Sequence, residues 1–170
     1  MARYTLAELN ALDQAGFVAA LGWVFEGSPW VAERAWAARP FASRDALHAA
    51  LVAVVQAARP EEQLALIRAH PDLGTRLGRA TLSAASVAEQ AGAGLDRLSD
   101  AEFARFQDLN ARYRERFGFP FIIAVRHHTR ASILAAFEAR LQHDAATERA
   151  TALAEIAEIA RLRLADAVAE

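Results

Sequence analysis

Apolar residues recur at helical spacing along almost the whole chain, and that pattern excludes most folds at once. Leu47, Leu51 and Val54 follow it, as do Phe103, Phe106, Leu109 and Tyr113. Alternating runs rich in Val, Ile and Thr, the mark of half-buried strands, are absent. The expected fold is all-α: a single-domain bundle of about eight helices over residues 1–170. A chain of 170 residues that is 54% hydrophobic has enough apolar surface for one core.

Caps and breakers set the expected boundaries. Thr5 and Glu8 have the spacing of a capping box ahead of a short first turn. Asp13 opens a helix through Phe17, Leu21, Val24 and Phe25 that Gly27 stops. Ser28-Pro29 reads as an N-cap followed by proline in the first helical position, with Pro40 closing that helix. Ser43 and Pro60 each start another helix. Ser83 and Ser86 compete to cap the next, and Ser99 with Glu102 forms a second capping box. Two last helices cover roughly residues 130–143 and 148–168. Residues 117–126 break the pattern. Phe117-Gly118-Phe119-Pro120 leads into the unbroken apolar run Phe121-Ile122-Ile123-Ala124-Val125, and Arg126 ends it. This is expected to be a buried, irregular segment whose backbone N–H and C=O groups need partners.

Composition narrows the chemistry. There is no Cys, so disulfides, thiolate metal sites and a cysteine nucleophile are excluded. All 19 basic residues are Arg. Codon usage in a GC-rich genome accounts for that, but the chemical consequence stands regardless of cause. No lysine amine is available for a Schiff base or for an internal pyridoxal linkage. A net charge of −2 with interspersed signs gives no footprint for nucleic acid. No apolar run approaches the length of a membrane span, and no secretory h-region is present, so the expected setting is cytoplasmic. The His residues lack helical ligand spacing, so no metal is expected. Nucleotide-binding glycine motifs and the hydrolase elbow are also missing.

Three places can carry chemistry. His70 stands at a helix end, because Pro71 disfavours the α conformation before it. Its imidazole either complements a helix dipole or works as a general acid/base near neutral pH. Asp72 either orients it or caps the next turn. Ser86-Val87-Ala88-Glu89 is a second capping-box pattern. If Ser83 is the true cap, however, Ser86 and Glu89 share one helix face, a turn apart. Gly92 and Gly94 follow and mark a close approach of backbone or ligand, or an early helix end. Arg126 is either a surface residue closing a core segment or a guanidinium at a pocket rim that binds a carboxylate.

Taken in order, these segments resemble the 2-oxo-4-hydroxy-4-carboxy-5-ureidoimidazoline (OHCU) decarboxylases of uric acid degradation. The resemblance rests on three blocks: His70-Pro71-Asp72-Leu73, Glu89-Gln90-Ala91-Gly92-Ala93-Gly94-Leu95 and Phe117-Gly118-Phe119-Pro120-Phe121. It is supported by Leu21 to Ala32, Arg39-Pro40-Phe41 and the late Ile159-Ala160-Arg161-Leu162-Arg163-Leu164. It implies an all-α fold, usually dimeric, with no cofactor, that converts OHCU to (S)-allantoin and CO₂. In such enzymes the motif histidine is the acid/base, which falls on His70 with Glu89 as its catalytic partner. The substrate-binding residues fall on Pro71, Ser86, Val87, Ala88, Glu89 and Gln90, on Phe121, Ile122, Ile123, Ala124 and Val125, on Arg126, and more weakly on Arg161. Two departures touch the pocket edge. Gly74-Thr75-Arg76 replaces the common Ala-Gly-Lys, and His127-His128 stands where asparagine or a similar polar residue is usual. The competing readings are a helical interaction module without chemistry, and a decarboxylase or hydrolase of a related ureide.

Overall fold

The computed structural model describes residues 3–74 and 83–170. Thr75 and Arg76, named above as a departure from the family pattern, lie outside the described residues. Among those described, nine α-helices account for nearly all regular structure, together with one two-residue parallel strand pair. The all-α expectation is met.

The contacts divide the chain into two compact units. One comprises Met1–Ala69 with Ala157–Glu170, the other His70–Ile156. In the first unit, α1 (Leu6–Ala11) is opened by the expected capping box. Thr5 Oγ1 accepts the Glu8 N–H at 3.1 Å and Glu8 Oε2 accepts the Thr5 N–H at 3.0 Å. Helix α4 (Arg44–Ala57) starts at Ser43, and α5 (Pro60–Arg68) at its N1 proline, both as expected. Strand β1 (Tyr4–Thr5) pairs with β2 (Val168–Ala169) and ties the two ends of the chain together. Leu9, Phe17, Val31, Leu47, Leu51, Leu66, Ile67 and Leu164 form the fully buried centre of this unit.

Two boundaries differ from the sequence reading. Helix α2 (Gln14–Leu21) ends at Gly22, well before Gly27. The Trp23 indole N–H donates to the Ala20 carbonyl at 2.9 Å, and Arg163 donates to the carbonyls of Trp23 and Val24 at 3.2 and 3.4 Å. Carbonyls that would continue the helical ladder are thus engaged by side chains. Val24 and Phe25 remain core residues, but off the helix. Helix α3 (Trp30–Ala35) is capped by Pro29 and not by Ser28, whose hydroxyl donates to the Glu26 carbonyl at 2.9 Å. A 3₁₀ turn over Trp36–Ala38 follows α3 ahead of Pro40.

In the second unit, Ser83 is the cap of α6 (Ala84–Gly92), accepting the Ser86 N–H at 3.1 Å. Helix α7 (Asp100–Phe117) begins with the expected Ser99–Glu102 capping box and ends at Gly118 in the left-handed region. Residues 119–124 are non-helical and run into a 3₁₀ turn at Val125–His127, as the sequence implied. Helix α8 is Arg130–Arg140, and α9 (Ala145–Ala167) passes from this unit into the first. The core is aromatic: Phe121 stacks on Phe137 at 3.7 Å, and Tyr113 meets Phe119, Phe121 and Phe137 edge-on.

Candidate active site

His70 leaves the helical path after α5 and is 7% exposed. The loop behind it is pinned at four points. Gln90 Oε1 accepts the Gly74 N–H at 3.1 Å, and Gln90 Nε2 donates to the Asp72 carbonyl at 3.3 Å. Asn110 Nδ2 donates to the Leu73 carbonyl at 2.9 Å, and Arg114 Nε donates to Asp72 Oδ1 at 2.9 Å. Gly74 has φ +69°, and a Cβ there would stand 2.9 Å from Leu98 Cδ1, so glycine is required. Asp72, which the sequence offered as an orienting group for His70 or a cap, holds Arg114.

Helix α6 carries the next candidates. With Ser83 as cap, Ser86 and Glu89 fall one turn apart on one face, and Ser86 is buried. The Glu89 carboxylate lies 3.9 Å from the Arg126 guanidinium. These two residues face a cavity of about 310 Å³ whose described wall also contains Ala88, Gly92, Ala93, Val125 and His128. A Cβ on Gly92 would meet nothing within 4 Å, so this glycine leaves space in the cavity wall and does not admit another backbone. Gly94 serves the turn, with φ +80°.

Beside the cavity runs the apolar segment. Phe121, Ile122, Ile123, Ala124 and Val125 are 1–6% exposed. Among the described residues, no group accepts a hydrogen bond from the backbone N–H of Phe121, Ile122, Ile123 or Ala124. Buried, unanswered amides of this kind are costly, and they leave donors available to a polar ligand. The segment is held from behind by Arg140, 7% exposed, whose Nη1 donates to the Ile122 carbonyl at 2.6 Å and whose guanidinium lies 4.2 Å from the Phe121 ring. Arg140 Nε is fixed by the fully buried Glu148 at 2.8 Å. The same carboxylate accepts the Tyr113 hydroxyl at 2.5 Å and stands 2.9 Å from His143 Nδ1. Burial, then the bond to Glu148, pushes the Tyr113 phenol well above its ordinary range.

The geometry therefore joins Ala88, Glu89, Val125 and Arg126 around one space. Gln90 sits next to Glu89, but its amide holds the His70 loop, so that loop is tied to the helix bearing Glu89. His70, Pro71, Ser86 and Val87 lie outside the described cavity wall, with His70 and Ser86 buried. Arg161 is in the other compact unit, exposed and bound to Glu158 at 2.6 Å, which raises its pKa. Sequence reasoning missed Asn110, Arg114 and Arg140, which position backbone through contacts distant along the chain. It also left His128 without a role.

The family model described as OHCU decarboxylase matches residues 10–165. The chain belongs to the OHCU decarboxylase family. An OHCU decarboxylase of Haloferax volcanii is 51% identical over 98% of this chain and 97% of its own length. One from Mus musculus is 40% identical over 95% and 91%. A uric acid degradation bifunctional protein of Bacillus subtilis is 46% identical over 98% of this chain, which corresponds to 33% of that protein. Among solved structures, an (S)-allantoin synthase superposes with a TM-score of 0.74 at 33% identity, over 95% of this chain and 53% of that one. An OHCU decarboxylase crystallised in the presence of (S)-allantoin gives 0.68 at 26% identity, over 84% and 93%. Among the described residues, no helix is long and apolar enough to cross a membrane, and no group of three or more acidic or imidazole side chains could hold a metal ion.

Proposed function

We propose that this chain is the decarboxylase that converts OHCU to (S)-allantoin and CO₂ in uric acid degradation. The observation that carries this reading is family membership across residues 10–165, with relatives matched over nearly their full length. The chemistry needs no electron sink from the protein. The carboxylate-bearing ring carbon also carries a hydroxyl and adjoins a ring C=N. When the C–C bond to the carboxylate breaks, its electron pair forms a C=C bond between the two ring carbons. The C=N pair moves onto nitrogen, which takes a proton. The resulting enol then loses its hydroxyl proton, while the ureido-bearing carbon gains one on a single face. The sum is OHCU carboxylate plus one proton giving allantoin and CO₂.

Within that sequence, His70 takes the hydroxyl proton and returns one to the ring. Glu89 anchors ring N–H groups, and Arg126 holds the carboxylate until it leaves. The unanswered N–H groups of Phe121 to Ala124 bind ring carbonyls and fix which face is protonated. Placed acid/base groups contribute on the order of 10²–10⁴-fold. Support comes from the Glu89–Arg126 pair at one cavity and from the buried amides beside it. The same reading carries a cytoplasmic homodimer, an expectation from the family resemblance. Light scattering on the purified chain decides between one copy and two.

The test follows OHCU in real time. Urate is treated with uricase and hydroxyisourate hydrolase, with and without the chain, and circular dichroism reports the product. Rapid formation of (S)-allantoin, lost in a folded His70→Ala variant, is the expected result. Slow racemic allantoin at equal rates with and without the protein refutes the reaction. Near-normal turnover in His70→Ala refutes the role of His70.

A further inference from the structure

The imidazole of His128 has no part in the roles assigned above, yet it lies in the wall of the cavity that holds Glu89 and Arg126. It is half-buried and held from one side only. Its Nδ1 is 3.0 Å from Ser132 Oγ. That hydroxyl is otherwise saturated, since it donates to the Thr129 carbonyl at 3.1 Å and accepts the Thr129 N–H at 2.9 Å. A hydroxyl has one proton and two lone pairs. With the proton and one pair engaged, only a lone pair remains for His128. With the hydroxyl proton directed to the Thr129 carbonyl, Nδ1 donates to Ser132 Oγ, and in that tautomer Nε2 is an acceptor. Among the described residues, Nε2 has no hydrogen-bond partner.

The inventory of the cavity gives this acceptor a purpose. Donors stand on the protein side: the Arg126 guanidinium in the wall and, in the segment that leads into Val125, the backbone N–H groups of 121–124. Acceptors are few, and the Glu89 carboxylate already faces Arg126. A ureide brings several N–H donors, and each one left unpaired on leaving water costs binding energy. We infer that His128 Nε2 accepts a ureido or ring N–H of the bound substrate, with Ser132 holding the ring in the tautomer that permits it. This rests on the decarboxylase reading and adds a specificity residue to it.

Two substitutions separate binding from scaffolding. His128→Asn keeps a polar group that reaches Ser132 but ends short of the Nε2 position. His128→Gln places an amide oxygen near that position. Steady-state rates on freshly generated OHCU give kcat and KM for each, and the rise in Tm on adding (S)-allantoin gives a second reading. The expected result is a KM about tenfold higher in His128→Asn with kcat within twofold, the loss of one neutral hydrogen bond. The allantoin-induced Tm rise shrinks in parallel, and His128→Gln recovers most of both. An unchanged KM in His128→Asn, or equal impairment in the two variants, overturns the inference. A wild-type chain that leaves OHCU decay unaltered overturns the function and this inference together, an outcome distinct from either of those.

Discussion

At the scale of single residues, the arginines divide sharply by environment. Arg140 with Glu148 and Arg163 with Glu26 are buried pairs, at 2.8 and 3.0 Å. Arg161 with Glu158 is a surface pair. Removing one partner of a buried pair leaves an uncompensated charge in the core and costs about 3–5 kcal/mol, whereas an exposed pair is screened by water and salt. Arg140→Met is therefore expected to lower the urea midpoint markedly, and Arg161→Met to leave it nearly unchanged. Equal midpoints in the two variants would contradict this assignment. Because Arg140 also holds the Ile122 carbonyl, any folded Arg140→Met is expected to lose enantiomeric purity of the product. The sequence could not make this distinction. Arg161 and Arg163 are two residues apart, so they point about 200° apart around α9. With every basic residue an arginine, composition gives no hint which of the two faces inward.

At the scale of elements, most local signals were read well, Ser28 apart, and distant ones were not. Thr5, Ser43 and Ser99 cap where their spacing said, because a cap is settled by a side chain and an amide three residues on, while the choice between Ser83 and Ser86 stayed open in the sequence and the structure gives it to Ser83. The end of α2 was misread because Arg163, 140 residues away from Trp23, accounts for it. The site shows the same division. The irregular segment at 117–126 followed from its breakers, whereas the face that Glu89 occupies hung on which of Ser83 and Ser86 caps α6. The tie from Gln90 to the backbone of Asp72 and Gly74 is a tertiary contact with no local signature. Gly92 gives an element-scale test. It ends α6 against open cavity, so Gly92→Ala is expected to raise stability by up to about 1 kcal/mol and to keep the allantoin-induced Tm shift. Gly92→Leu should fold as well but lose that shift, because its side chain occupies the cavity. A full ligand shift in Gly92→Leu would show that the cavity is not where the ligand binds.

At the scale of the whole molecule, acid lability is written into three helix starts spread over both compact units. Glu62 at the start of α5 is lowered to about 2, first by its bond from Arg34 and then by the Arg59 N–H. Glu102 at the start of α7 is lowered by the Ser99 N–H. Asp144, just ahead of α9, is lowered by the Thr147 N–H. Each is a carboxylate whose folded pKa lies below its unfolded value. Its stabilisation is complete above the ordinary carboxylate range, near 4, and is lost as pH falls through the folded value. For Glu62 that window runs from about pH 4.5 down to about 2. Tyr113 acts at the other end. Its folded pKa is raised by burial, so the protonated form is favoured in the fold. Its contribution is complete below the ordinary tyrosine value of about 10 and declines as pH rises beyond it. Thermal melts from pH 2 to 11 should therefore show a plateau between about 5 and 9, with Tm falling on both sides. Glu62→Gln should flatten the acid limb at its lower end, and Tyr113→Phe the alkaline limb. A Tm that climbs between pH 5 and 3 would mean that these carboxylates repel more than they cap.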